Sequence, residues 1–251
     1  MRLDRMHWQR RIAALDPETE YLEISRIISS HEFPWDMNQS LGLALYRTYA
    51  VPSIGNLLAR TGEFTERTQK RYDDTGLILD AVLEHGFDSA DGRAGIRRMN
   101  QMHGHYAIPN EDLRYVLCTF VTVPIRWIDE YGYRRLTEIE KVASANYYRR
   151  LGSMMNILDI PKTWQEFGEA MDAFESDHFG YDAGGVAVSD ATLDLMATFP
   201  PSDKAPRRAV RRFALSLLDD KLLDAFGYPH PTALERRVYR ALVKARARLL
   251  R

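Results

Sequence analysis

The sequence predicts an all-α protein, and three observations lead to that fold class. Runs in which β-branched and polar residues alternate are scarce, and no Asn-Gly or Asp-Gly pair separates two such runs. Apolar residues recur instead at spacings of three and four along almost the whole chain. Glycines stand where helix ends would take a left-handed residue, at Gly86, Gly132 and Gly180.

The periodic segments predict a series of helices, and capping residues mark the start of several of them. The helices are expected near residues 17–31, 38–50, 53–60, 64–86, 90–104, 110–130, 135–156, 164–179, 189–198, 207–226 and 232–250. Asp16, Asn110 and Thr163 resemble N-caps because an acid or amide follows each of them within the first turn. These signals support the segments that begin next to them.

A chain of 251 residues suits one large domain or two small ones. The segment FPPSDKAPR, residues 199–207, is the best linker candidate because its three prolines and its charges oppose regular structure. It is too short to separate two domains by itself. We therefore expect a single all-helical domain over 1–251, with the basic helical segment 204–251 as a candidate appendage.

The composition is that of a folded protein, with 45% hydrophobic and 27% charged residues. No apolar stretch approaches the roughly 20 residues needed to cross a bilayer, and the N-terminal stretch MRLDRMHWQRRIAAL is too charged for a secretory signal. We expect a soluble, cytoplasmic protein. The single cysteine, Cys118, lies in the apolar run YVLCTFV, which predicts a buried and inert thiol.

Positive charge is concentrated at the C-terminus. The net charge is −1, yet residues 204–251 contain 13 Lys plus Arg against 4 Asp plus Glu, a local charge of +9. The last predicted helix has an apolar side made of Leu234, Val238, Leu242 and Leu249. Spacing alone favours a stripe that packs on the core, and peripheral contact with an anionic membrane is the alternative. Nucleic acid is not an expected partner because no aromatic residues are interleaved with the charges.

Two metal sites that suit an all-α chain lack residues that they need in this sequence. A carboxylate-bridged di-iron bundle needs two Glu-x-x-His repeats, and only residues 175–178 supply one. A magnesium site of the Asp-Asp-x-x-Asp type fails at 73–74, because residue 77 is leucine, and at 219–220, because the next acid comes one position late. Solvated helix faces explain these aspartates better.

A haem pocket makes a smaller demand, namely one neutral imidazole, a cation and an apolar cavity. His103 ends the predicted helix RAGIRRMNQMH and shares a face with Ile96 and Met99. Spacing alone favours a core or capping histidine over an iron ligand. His105 lies beyond the helix end, where we expect it to form a hydrogen bond at the corner before Pro109.

A second stretch, ERTQKRYDDTGLILDAVL, places an arginine on a partly apolar helix face. Arg71 and Thr75 are i, i+4 neighbours, and Ile78 and Val82 continue the same face. An arginine that points inward needs an anionic partner because an unpaired buried charge is costly. Asp74 is one candidate partner and a haem propionate is the other.

Three stretches together resemble a known family: RYDDTGLIL, then RRMNQMHGHYAIPNEDLRYVLCTFVTVPIRWIDEYGYRRLTEIEKVA, then YYRRLGSMMNILDIP. They resemble the DUF2236 superfamily of mpaB-type oxygenases and the rubber oxygenase called latex clearing protein, and most of all the mpaB branch. The resemblance implies a globin-like helical core that holds haem b. It also implies an oxygenase that uses dioxygen to cleave or oxidise a carbon-carbon double bond of a hydrophobic, prenylated small molecule.

The resemblance also assigns roles to individual residues. It maps the axial iron ligand onto His103 and the arginine and threonine near the haem onto Arg71 and Thr75. Arg71 is then a cofactor-binding residue, and Arg71 and Thr75 are the candidate catalytic residues. The fungal members carry an N-terminal membrane anchor, which we do not expect from this N-terminus.

The sequence departs from the rubber oxygenase at one position and leaves one role open. Asp74 stands where that enzyme has a lysine next to the threonine, and neither Glu63 nor Glu66 aligns clearly with its proposed catalytic base. Two further functions therefore remain open. One is a haem carrier or sensor without turnover, and the other is a haem-free helical scaffold that docks through its basic C-terminus.

Overall fold

A computed structural model describes residues 6–200 and 202–249, and within these ranges the chain is all-α and contains no strand. This confirms the predicted fold class. The helices are α1 (His7–Ala13), α2 (Tyr21–Ile27), α3 (Pro34–Thr48), α4 (Pro52–Thr61), α5 (Glu63–Glu66), α6 (Thr68–His85), α7 (Ala90–His103), α8 (Asn110–Tyr131), α9 (Glu138–Met154), α10 (Trp164–His178), α11 (Ala183–Met196), α12 (Arg207–Leu217), α13 (Asp220–Phe226) and α14 (Ala233–Leu249). A π-helical turn (Ile28–Glu32) follows α2, and a 3-10 turn (Ser202–Lys204) precedes α12.

The contacts within the chain define two compact units. The first comprises the described residues up to Ala44 together with Thr75–Ala173, and the second comprises Leu45–Asp74 with the described residues from Phe174 onward. The boundaries fall inside α3, α6 and α10, and the proline-rich segment 199–207 lies within the second unit. The single domain over 1–251 stays a prediction, and 204–249 belongs to the second unit.

In the first unit, α8 and α9 form the core together with α2. Twelve of the 22 residues of α8 are buried, including Trp127, whose indole N–H donates to Asp36 Oδ1 at 3.1 Å. Helix α9 begins with a capping box in which the Thr137 side chain and Glu140 each satisfy the other residue's backbone N–H. Glu140 is fully buried and receives two bonds from Arg134, at 2.6 and 2.7 Å.

In the second unit, α11 packs closely against α4 at a pair of glycines. A Cβ atom on Gly55 would lie 2.7 Å from the Cα of Gly185 and 2.4 Å from the carbonyl oxygen of Tyr49. Neither helix could approach so closely with a larger residue at these positions. Nearby, the buried hydroxyls of Tyr46, Ser189 and Tyr228 form a continuous chain of hydrogen bonds, which Tyr228 extends to Asp190.

Several predicted helix boundaries are wrong, each for a local reason. The helix predicted over 64–86 is broken at Arg67, whose φ of −133° is not helical, and that over 207–226 is broken where Asp219 starts a new helix as its N-cap. Helix α11 begins six residues earlier than predicted because Asp182 caps it, accepting from Gly185 N at 2.8 Å. Helix α1 was not predicted.

The predicted capping residues have mixed outcomes. Thr163 caps α10 and accepts from Glu166 N at 3.2 Å, as expected. Asp16 instead organises a turn, because α2 begins only at Tyr21. Asn110 is the first residue of α8, and its amide binds the backbone of Leu158 across the loop.

Only one of the three predicted glycines adopts the left-handed conformation. Gly86 has φ +82° directly after α6, so that prediction is confirmed. Gly132 is extended, with φ −66° and ψ 161°, and Gly180 is not among the glycines with positive φ. No helix in the described part of the chain is long and apolar enough to cross a membrane.

Candidate functional site

The residues predicted to hold a cofactor lie on α6 and α7. Arg71 and Thr75 are one turn apart on α6, and His103 is the last residue of α7. Arg71 belongs to the second unit, whereas Thr75 and His103 belong to the first. All three residues are half-buried.

Arg71 stacks on an aromatic ring of its own unit. Its guanidinium carbon lies 5.0 Å from the ring centroid of Phe64, which is buried and packs edge-on against Tyr49 at 5.5 Å. Such cation-π stacking fixes the plane of the guanidinium group. Asp74, which the sequence offered as one candidate partner of Arg71, forms an ion pair with Lys70 one turn earlier on α6.

The end of α7 is fixed on both sides of His103. Before it, the Asn100 amide donates to the Met154 carbonyl oxygen at 2.9 Å. After it, the Nδ1 atom of His105 lies 2.5 Å from the Gln101 carbonyl oxygen, so His105 donates from Nδ1 and caps the helix. This confirms the predicted corner role of His105. These contacts hold the backbone of His103 at the C-terminus of α7.

A cavity of about 280 Å³ lies in the first unit beside α6. Its walls come from α2, α3, α6, α8 and α9, and its apolar lining includes Leu41, Leu79, Leu83 and Ile125. The buried hydroxyl of Ser25 lies in this wall and has no hydrogen-bond partner among the described residues. A volume near 300 Å³ is the lower end of the range for small-molecule sites.

The cavity also has an ionisable group at its edge. Asp80 of α6 lines it, and burial, followed by the nearby charge of Glu84, raises the pKa of its carboxyl. Helix α6 brings Thr75, Leu79 and Leu83 onto one face at steps of four. Sequence reasoning found Thr75 but missed the cavity, because its walls are far apart along the chain.

The di-iron interpretation fails in the structure. Glu175 is buried and bound by Arg47, whose Nε lies 2.8 Å from Oε1. His178 has its Nδ1 atom 2.9 Å from the Phe174 carbonyl oxygen and its ring stacked on Phe174. Over the described residues, no group of three or more His, Cys, Asp or Glu side chains could hold a bare metal ion.

The aspartate pairs are likewise engaged with protein groups. Asp73 accepts from Gln69, at 2.8 and 2.9 Å, and Asp219 caps α13 through Leu222 N at 3.0 Å. Asp220 pairs with Arg236. These carboxylates therefore have partners within the protein, and the capping role of Asp219 was not predicted from the sequence.

The amino-acid sequence is similar to those of several named oxygenases. The chain is 28% identical to the "ER-bound oxygenase mpaB'" of Penicillium brevicompactum, over 96% of this chain and 60% of that protein. It is 31% identical to the mpaB oxygenase of the same fungus, over 58% of this chain and 38% of that protein. With the mpaB oxygenase of Penicillium roqueforti it shares 30% identity, over 84% of this chain and 76% of that protein.

The family match itself covers most of the chain and includes α6, α7 and all of α14 except Leu249. Residues 36–248 match the family described as "ER-bound oxygenase mpaB/B'/Rubber oxygenase, catalytic domain". The chain spans less than two thirds of the length of the first two relatives. It belongs to the mpaB and rubber oxygenase catalytic-domain family.

Proposed function

We propose that the protein is a haem b-dependent oxygenase that uses dioxygen to cleave or oxidise a carbon-carbon double bond of a hydrophobic, prenylated small molecule. The observation that carries the proposal is the family match over residues 36–248, with relatives that are named oxygenases. The chain covers only part of two of these relatives, so their activity comes to it as our proposal.

The residues present fit a haem. The porphyrin supplies the equatorial nitrogens, so the protein needs to provide only one axial side chain. His103 is a half-buried imidazole at a helix end that Asn100 and His105 fix on either side. Such a fixed position suits an axial ligand because the ring must meet the iron in one orientation.

In this proposal each predicted site residue has a distinct task. His103 would ligate the iron, Arg71 would neutralise a propionate, and Thr75 would offer a hydroxyl that can donate a hydrogen bond near the reacting groups. The stacking of Arg71 on Phe64 limits the directions in which its guanidinium can donate. The haem, when bound, supplies the iron centre at which dioxygen is activated.

The apolar cavity of the first unit supports the proposal that the substrate is hydrophobic. Leu79 and Leu83 follow Thr75 on the same face of α6 and enter the cavity wall. An apolar chain placed there would be shielded from water, and its burial would provide most of its binding energy. The Ser25 hydroxyl, which lies in this wall without a hydrogen-bond partner among the described residues, is a polar group that could fix one end of a ligand.

The first test concerns the cofactor. Protein purified from haem-replete cells should show a Soret band and near-stoichiometric haem b in a pyridine haemochrome assay. His103→Ala should lose the haem while keeping its helicity, and added imidazole should restore binding by replacing the lost ligand. His85→Ala, which changes an exposed histidine at the end of α6, is the matched control, and it should keep the haem. Equal haem content in both variants would contradict the ligand assignment.

A second test separates an oxygenase from a haem carrier or sensor. The carrier is supported by Asp74, which stands where the rubber oxygenase has its lysine and is paired here with Lys70. Haem-loaded protein should consume dioxygen when a prenylated alkene is added and release carbonyl products. Haem binding without any alkene-dependent oxygen consumption would favour the carrier.

A further inference from the structure

The outward face of α14 carries an apolar stripe that no part of the described chain covers. Its exposed fractions are 71% at Leu234, 46% at Val238, 58% at Leu242 and 88% at Leu249. The helix is anchored by its opposite side, where Val243 and Ala247 are buried. The stripe is therefore not the surface that packs on the core, contrary to the interpretation that spacing alone favours.

Basic residues flank the stripe. Arg237 and Arg248 are exposed and, at 100° per residue, lie along one edge of it together with Lys244. Helix α14 contains six Lys and Arg residues and a single acidic residue, Glu235. Arg212 binds Glu235, with Nε 2.8 Å from Oε1, and this contact lowers the pKa of the Glu235 carboxyl to about 2.

The inner basic residues serve a different purpose. Arg236 pairs with Asp220, and Arg240 donates to the Ser216 carbonyl oxygen at 3.3 Å, so both tie α14 to the helices beneath it. The outer face thus combines exposed leucines with exposed arginines. A second copy of the chain docked on this face would bring its exposed arginines close to those of the first copy, and the like charges would repel. A neutral surface would give the arginines no partner. An anionic lipid surface matches both the leucines and the arginines.

We propose that α14 is a peripheral docking helix that lies flat on an anionic membrane surface. Leu234, Leu242 and Leu249 enter the boundary between headgroups and acyl chains, and Arg237 and Arg248 contact lipid phosphates. The inference does not depend on haem or on oxygenase activity. It concerns how the protein reaches a surface into which hydrophobic molecules partition.

The first experiment is flotation of the full chain with vesicles of phosphatidylcholine, with and without phosphatidylglycerol. The protein should float with the anionic vesicles at low salt, and much less with the neutral ones or at high salt. Leu234→Asp with Leu242→Asp should weaken binding about tenfold or more, because it removes the apolar contribution and adds like charge. Leu77→Asp with Leu158→Asp is the matched control, since those leucines are similarly exposed, at 67% and 65%.

The second experiment reports the position of the helix directly and does not require a loss-of-function variant. An environment-sensitive dye is attached to Leu242→Cys and, as control, to Leu77→Cys. The native Cys118 is buried, and its burial raises the pKa of its thiol to about 12, so it should not compete for the label. The dye at position 242 should brighten and shift to shorter wavelengths on anionic vesicles, and the dye at 77 should not.

Three outcomes would overturn the proposal. One is equal flotation with neutral and anionic vesicles, and another is an unchanged dye spectrum at position 242. The third is a stable dimer by light scattering that the double aspartate variant dissociates, with vesicle binding absent in both forms. That result would assign the stripe to a second copy of the chain.

Discussion

Two pairs of helices in the first unit differ in how they are held. In α8, twelve of 22 residues are buried, whereas in α7 only Gly92 and Ile96 of 14 are buried. The part of α6 that belongs to the first unit, from Thr75 to His85, is similarly exposed, because Val82 is its one buried residue. Helices α8 and α9 form a closely packed scaffold. Helices α6 and α7 have few buried residues, and many of their other side chains are half-buried or exposed.

This difference in burial predicts different responses to substitution in the two pairs of helices. A close-packed pair of helices tolerates few changes, since every lost group leaves a void or an unpaired charge. Helices α6 and α7 bury fewer residues, and side chains such as Thr75 and His103 are half-buried on them. Binding sites drawn from the less buried elements of a domain are a general pattern.

The largest effect is expected in the scaffold. Glu140→Ala removes the partner of two Arg134 hydrogen bonds and the capping box of α9, so it should lower the free energy of unfolding by about 3–5 kcal/mol. Urea denaturation followed by circular dichroism measures this. Glu138→Ala, an exposed acid on the same turn, should cost less than about 1 kcal/mol. Equal effects would contradict the role of the buried pair.

The next effect separates binding from folding. His103→Ala should change the stability of the haem-free protein little, since the side chain is half-buried. Haemin at about a hundred times its Kd should stabilise the wild-type protein by about 2.7 kcal/mol and the variant not at all. Thermal melting with and without haemin checks this. Equal stabilisation of both proteins would place the haem elsewhere.

A smaller effect tests the fixed contacts at the end of α7. Asn100→Ala removes the bond to the Met154 carbonyl oxygen and should cost about 0.5–1.5 kcal/mol. It should also weaken haem binding, because the end of α7 positions His103. Gln101→Ala, at an exposed neighbouring position, is the control for both measurements. Normal haem affinity in the Asn100 variant would remove this positioning role.

The smallest effect concerns Cys118 of α8, whose thiol should not react with a thiol reagent in the native protein. Cys118 is 1% exposed, and its burial raises the pKa of its thiol to about 12, with Arg114 opposing the shift. Its thiolate is therefore scarce at neutral pH and grows only as the pH rises towards 12. A thiol reagent should leave the native protein unmodified and label it fully in denaturant. Rapid labelling of the native protein would show that α8 opens.

Local patterns in the sequence predicted several features of this structure. Apolar periodicity predicted the all-α class, and the corner role of His105 followed from its position one residue beyond the end of the helix predicted over 90–104. The position of Arg71 four residues before Thr75 fixed their relation on α6, because helical geometry is set by the backbone. The burial of Cys118 followed from its apolar neighbours.

Tertiary structure decided the rest, because those features depend on residues far apart along the chain. The periodicity of α14 showed a stripe but not which face docks, and only packing through Val243 and Ala247 left the leucines exposed. The cavity beside α6 needs walls from five helices, and the burial of Glu175 needs Arg47. The sequence by itself determined local geometry and family, and long-range packing determined which surfaces remained free to bind.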